Sequence, residues 1–249
     1  TFGFWTPELL EHRIPDGDVF VEVLAPLAPL NLTRARQQLA FERVRIPVVR
    51  RDDYTFAAVT GAVAGTRERV GDFYALAWRD AQGTWHRAFD PLAMSVPFGV
   101  FAPAEIYDTA SMHEGRGDAD YWAALKGRAP AKFDPPTNIL QIHVPTATAG
   151  GTLASLTRHF ERLAERVRFD LPPEPQDRLY LGYDAIQLLP VEPTTVYEAG
   201  PDFWSETDDG DRITVDLMRP DTTNWGYDIV MSGMGTVNPV LLESGRPDE

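Results

Sequence analysis

The densest chemistry in the chain lies in five consecutive residues, Asn224-Trp225-Gly226-Tyr227-Asp228. Two aromatic rings flank a glycine, and a carboxylate follows. Aromatic faces stack on the apolar faces of sugar rings, and a carboxylate accepts hydrogen bonds from hydroxyls. That is the combination a sugar subsite requires. The same residues also suit a packed loop. His143 is the second candidate. It stands near the end of the apolar run Ile139-Leu140-Gln141-Ile142-His143-Val144, and in a barrel the C-terminal ends of strands face the active site. A core histidine bonded to a neighbouring backbone group is the alternative.

Other chemical signatures are weak. No Walker A loop, H-E-x-x-H or G-x-S-x-G occurs. Gly115-x-Gly117 lacks a third glycine and a preceding strand. Arg116-Gly117-Asp118 spells an adhesion tripeptide, which three-residue chance also produces. Asp208, Asp209 and Asp211 suit a solvated turn better than a calcium site. The five histidines, His12, His86, His113, His143 and His159, show no metal spacing, so neither a metal nor a cofactor is expected. Asn31-Leu32-Thr33 is a glycosylation sequon, which matters only in a secreted chain.

Composition bounds what these residues can serve. The chain has 249 residues, 21 prolines, 19 glycines and no cysteine, with 43% hydrophobic and 24% charged residues. These values describe a globular chain. Without cysteine there is no disulfide, thiol nucleophile or thiolate-bound metal. A net charge of −14 argues against nucleic acid and anionic membranes as partners. No stretch of about 18 apolar residues spans a bilayer, and no leader pattern is visible, so the chain is expected in the cytoplasm. Lys126 and Lys132 are the only lysines. An arginine-biased acidic chain fits a GC-rich genome, or adaptation to high salt.

The elements that must position the candidates divide into three stretches. Residues 1–108 read as β-rich, with strands at Val19–Leu24, Arg43–Val49, Tyr54–Val59, Asp72–Arg79 and Thr84–Phe89. Short strands with regular turn signals predict an antiparallel β-sandwich. Residues 109–136 read as a linker broken by prolines, with a short helix over Asp118–Leu125. From 137 to 249 the pattern becomes βαβ. Ile139–Val144 and Asp184–Leu189 read as buried parallel strands. Between them, Leu153, Leu156, Phe160, Leu163, Ala164 and Val167 recur at helical spacing behind a Thr152 cap. Residues 194–220 are acidic, with a hairpin around Thr207–Asp211.

Ile139–Val144 followed by Gly151-Thr152 resembles the opening strand and turn of the α-amylase family of glycoside hydrolases. Gly182–Glu192 resembles that family's second barrel strand, and Asn224–Asp228 the loop after it. Asp90-Pro91-Leu92-Ala93 is similar to the end of the accessory β-sandwich, and Arg246-Pro247-Asp248-Glu249 to the start of a following helix. Within the family, Asn138–Thr146 and the pairing of Gly182–Pro193 with Asn224–Asp228 most resemble glucosylglycerol hydrolases.

The resemblance implies a multidomain β and α/β chain: a β-sandwich over 1–108, then the first units of a (β/α)8 barrel over 137–249, left incomplete. It implies retaining α-glucoside hydrolysis by a carboxylate pair. No residue here matches those carboxylates, so the chain is expected to be an N-terminal portion, inactive alone, with an open strand edge. Tyr227 is implied to stack on the sugar, Asp228 to contact a hydroxyl, Trp225 to pack the loop, and His143 to stand at a strand end. The implied partner is a small glycoside or glucan, and the oligomeric state stays open. Rival readings are a branching, debranching or trehalose-releasing enzyme, or a non-catalytic carbohydrate-binding or structural module. In the last, Trp5, Trp78 and Trp85 would form a glycan platform, though strand aromatics are more often core.

Overall fold

The computed structural model describes residues 1–129, 138–194, 203–219, 225–229 and 236–249. Its strands are β1 (Phe2–Trp5), β2 (Val19–Pro26), β3 (Arg36–Pro47), β4 (Val49–Arg51), β5 (Tyr54–Ala57), β6 (Phe73–Arg79), β7 (Trp85–Ala88), β8 (Ala104–Glu105), β9 (Ile139–Ile142), β10 (Ala185–Leu188), β11 (Trp204–Asp209) and β12 (Arg212–Met218). The helices are α1 (Pro7–Glu11), α2 (Ala119–Leu125), α3 (Val144–Ala147) and α4 (Leu153–Arg168). Asn224 of the aromatic motif lies outside the described residues, as do Pro130, Pro135 and Pro136 of the expected linker.

The dominant element is a seven-stranded antiparallel sheet of order β11-β12-β3-β2-β6-β7, with β8 beside β6. Period-two alternation builds it. Val19, Val21 and Val23 point to one face and pack with Tyr74 and Leu76 against Phe4, Ile14, Val48 and Ala57. These last residues sit on or beside a smaller sheet of order β1-β5-β4. Leu24, Leu39 and Phe41 point to the other face and pack with Phe73, Phe98, Ile213, Val215 and Leu217.

That second face is concave, because the sheet curls until its edges meet. Arg87 on β7 donates to Glu206 on β11 (3.0 Å at the longer bond) and to the buried Glu22 on β2 (2.6 Å). Arg45 donates to Glu22 (2.9 Å), and Arg43 to Asp208 (2.7 and 2.8 Å). Burial pulls the Arg87 guanidinium down, but the hydrogen bonds and charges of Glu206 and Glu22 outweigh it and hold Arg87 above its ordinary value. Each buried charge therefore has a partner, the condition for tolerating it inside. The pairing also neutralises Asp208, so the acidic turn serves sheet closure.

β9 and β10 form a separate parallel pair, Ala185 opposite Ile139 and Leu188 opposite Ile142, with α4 in the connection. Thr152 caps α4: its side chain accepts from the Ser155 backbone N–H (3.1 Å), and Ser155 Oγ answers the Thr152 N–H (3.0 Å).

The expected fold class does not hold. The chain is mostly antiparallel β with few helices, and the described residues do not open a (β/α)8 barrel. After β10 the next described elements are a hairpin, β11 and β12, rather than another helix and parallel strand. β12 pairs with β3, Ile213 opposite Phe41 and Val215 opposite Leu39. The physical reason is the alternation in Arg212–Met218, which buries Ile213, Val215 and Leu217 on the face that Leu39 and Phe41 need covered. Strands from both sides of residue 108 thus share one sheet.

The C-terminal segment ties these parts together. Arg246, expected to begin a helix, is instead buried against Glu105 on β8 (3.0 Å to each carboxylate oxygen), and donates to the carbonyls of Thr66 and Arg69. Glu243 accepts from Thr152 (3.1 Å) and Arg158 (3.0 Å) on α4. Asp90 accepts from the Tyr74 hydroxyl (2.7 Å), and the Ala93 carbonyl from Thr236 (2.7 Å). The Asp90–Ala93 stretch is therefore a packing joint.

Candidate functional site

The C-terminal ends of β9 and β10 meet in one place. Leu189 donates its N–H to the Ile142 carbonyl (2.8 Å), extending the pair by one residue before Pro190. On β9, Ile142 is buried and His143 follows it at the exit. The Val144-Pro145 step then starts α3, and His143 Nδ1 sits 3.0 Å from the Thr146 hydroxyl.

The aromatic loop lies on this exit. Gly226 has a φ of +87°, and a Cβ there would stand 2.3 Å from the Pro190 carbonyl oxygen. Both facts require glycine. The close approach anchors the loop backbone on the end of β10 and sends the flanking rings outward. Trp225 is 71% exposed and Tyr227 62% exposed. The Trp225 ring stacks on His143, centroids 6.2 Å apart and planes 19° apart. Ile229 then bridges to Thr194. Asp228 lies exposed beside the rings.

The structure thus brings His143 and Trp225 together, and places Tyr227 and Asp228 on the same short loop. The surface it makes has two outward aromatic faces, an imidazole and a carboxylate. It can stack on a ring with an apolar face and accept hydrogen bonds from hydroxyls. The loop sits at the carboxyl ends of the two parallel strands β9 and β10. Among the described residues no group of three or more His, Asp or Glu is placed to hold a metal ion. Among them, too, no helix is long and apolar enough to cross a membrane.

A family model described as hypothetical glycoside hydrolase 5 matches residues 1–249. The chain belongs to this family. Membership of hypothetical glycoside hydrolase 5 sets a glycoside hydrolase-like context and implies a carbohydrate substrate. A comparison with curated proteins finds no match.

Two other sequence candidates resolve differently. In Arg116-Gly117-Asp118, the guanidinium bonds the carboxylate of the same tripeptide (2.8 and 2.7 Å), and Trp122 Nε1 donates to it too (2.6 Å). Its charges are spent internally. Of the platform tryptophans, Trp78 stacks on His86 (5.5 Å) and Trp85 lies under the Arg45 guanidinium at 3.7 Å. Sequence reasoning did not single out Pro190, whose carbonyl contact with Gly226 is tertiary. The local signal was a glycine between two aromatics.

Proposed function

We propose that the surface at the ends of β9 and β10 recognises a small α-glucoside, glucosylglycerol being the specific case, in the service of retaining α-glucoside hydrolysis. Tyr227 stacks on the glucose ring, Asp228 accepts from a ring hydroxyl, Trp225 packs the loop against His143, and His143 holds that ring in place. The reading assigns binding to this site, and assigns neither nucleophile nor acid/base to it. The observation that carries it is the Gly226–Pro190 contact, which holds an aromatic pair outward where parallel strands end. An exposed tryptophan and tyrosine fixed in this way suit a polyol and pyranose better than a charged ligand.

Titration calorimetry with 2-O-α-glucosylglycerol tests the reading. Tyr227→Ala should weaken binding about tenfold through lost stacking, and soluble starch should compete poorly. Binding that changes less than twofold in Tyr227→Ala would remove the assignment.

A further inference from the structure

A second exposed aromatic surface lies elsewhere, on the outer face of the small sheet. Cross-strand register puts Trp5 opposite Tyr54 and Gly3 opposite Phe56 on one side of β5, and Arg51 opposite Tyr54 and Val49 opposite Phe56 on the other. Alternation sends Gly3, Trp5, Tyr54, Phe56, Val49 and Arg51 to the outer face, while Phe4, Thr55 and Ala57 are buried behind them. Trp5 is 65% exposed and Tyr54 49%. The Tyr54 and Phe56 rings stack at 6.1 Å with planes 22° apart. A Cβ on Gly3 would touch the Phe56 ring at 3.0 Å, so glycine lets that ring lie low against β1. The result is flat.

The backing is rigid. The Thr6 and Thr55 hydroxyls bond each other at 2.7 Å in the buried layer, and Thr6 donates its N–H to the Asp53 carbonyl (2.7 Å). A preorganised surface loses little entropy on binding. The rim carries Arg51 with Asp52 and Asp53, all exposed, a net of one negative charge within a chain of net charge −14. An uncharged ligand meets no electrostatic barrier there.

We propose that Trp5, Tyr54 and Phe56 form a glucan-binding platform, on which successive pyranose rings of a neutral polysaccharide lie flat. The chemistry of the patch selects this occupant. Its apolar area is mostly planar aromatic ring, which matches sugar faces. An exposed aromatic patch with a polar rim marks an interaction site, and the chain's family works on carbohydrate. The platform uses no residue of the 225–228 surface, so either assignment can fail alone.

Native gel electrophoresis of the protein with and without soluble amylose in the gel tests it. The wild type should be retarded, and Trp5→Ala/Tyr54→Ala should weaken retardation about tenfold. Phe169→Ala, an exposed aromatic outside both surfaces, should be retarded like the wild type. Gly3→Ala, which lifts Phe56, should weaken retardation by a smaller factor while Trp5 and Tyr54 remain. Circular dichroism of each variant should match the wild type, since the replaced side chains are exposed. No retardation of the wild type would overturn the proposal. So would retardation that survives Trp5→Ala/Tyr54→Ala, or a patch whose loss only converts a dimer to a monomer.

Discussion

The large curled sheet and the parallel pair β9–β10 use the same kinds of residue and treat them oppositely. β6 buries five consecutive positions, Phe73 to Ala77. β10 buries none of Ala185–Leu188, and Ile186 is 46% exposed. β6 has β2 on one side and β7 and β8 on the other, with packed side chains on both faces. β9 and β10 pair only with each other among the described strands, and their small cluster centres on Ile142, Val144, Leu156 and Leu241. An apolar run reports a need for burial, and neighbours decide whether the need is met. The contrast also separates roles. The curled sheet is a scaffold whose buried Glu22 and Arg43 are ion-paired, while the pair ends beside the exposed rings of Trp225 and Tyr227.

The sharpest way to break the comparison is to cut the segment that joins the two regions. Arg246→Ala leaves the Glu105 carboxylate buried without its cation, although Ser95 and the Gly71 N–H still donate to it. The expected loss is about 3–5 kcal/mol of stability, read by urea unfolding.

A paired substitution measures the difference in burial directly. Phe73→Ala should cost about 3–5 kcal/mol, as expected for an aromatic inside a packed core. Ile186→Ala should stay within about 0.5 kcal/mol, as for a surface residue. Equal costs would show that β10 is as well packed as β6.

A smaller effect tests the joint at Asp90. Burial first, then the charge and hydrogen bond of Asp90, pushes the Tyr74 hydroxyl above its ordinary value of 10.0. Its folded form therefore holds a proton that the unfolded chain releases above pH 10. The stability contributed by Tyr74 is complete below pH 10. It falls by about 1.4 kcal/mol per pH unit above it while the folded form stays protonated. Tyr74→Phe should be about 1 kcal/mol less stable at pH 8, and the gap should close as pH rises past 10. A constant gap would show that Tyr74 ionises normally.

How far the sequence discloses this architecture follows the range of each interaction. α4 with its Thr152 cap is legible because cap, spacing and side-chain face are local. β2 and β6 are legible as apolar runs bounded by turn residues. The β11–β12 hairpin is visible from its acidic turn around Gly210, but its partner is not. Arg212 meets Glu42 across the sheet, and no local rule reports a pairing at that separation. Without that partner, the hairpin falls within the barrel units expected over 137–249, whereas β12 belongs to the large sheet. Arg246 was invisible in the same way, since nothing nearby in sequence says that its partner is Glu105. The candidate site was legible as a motif, Trp225 to Asp228, and its contacts with Pro190 and His143 were not.

The most direct test of the central claim, that sugar is recognised where β9 and β10 end, is amide hydrogen exchange of the protein with and without saturating 2-O-α-glucosylglycerol. The account predicts slowed exchange at residues 225–229 and 143–146, with the β2, β3 and β6 amides unchanged. Unaltered exchange at 225–229, or protection appearing only elsewhere, would contradict it.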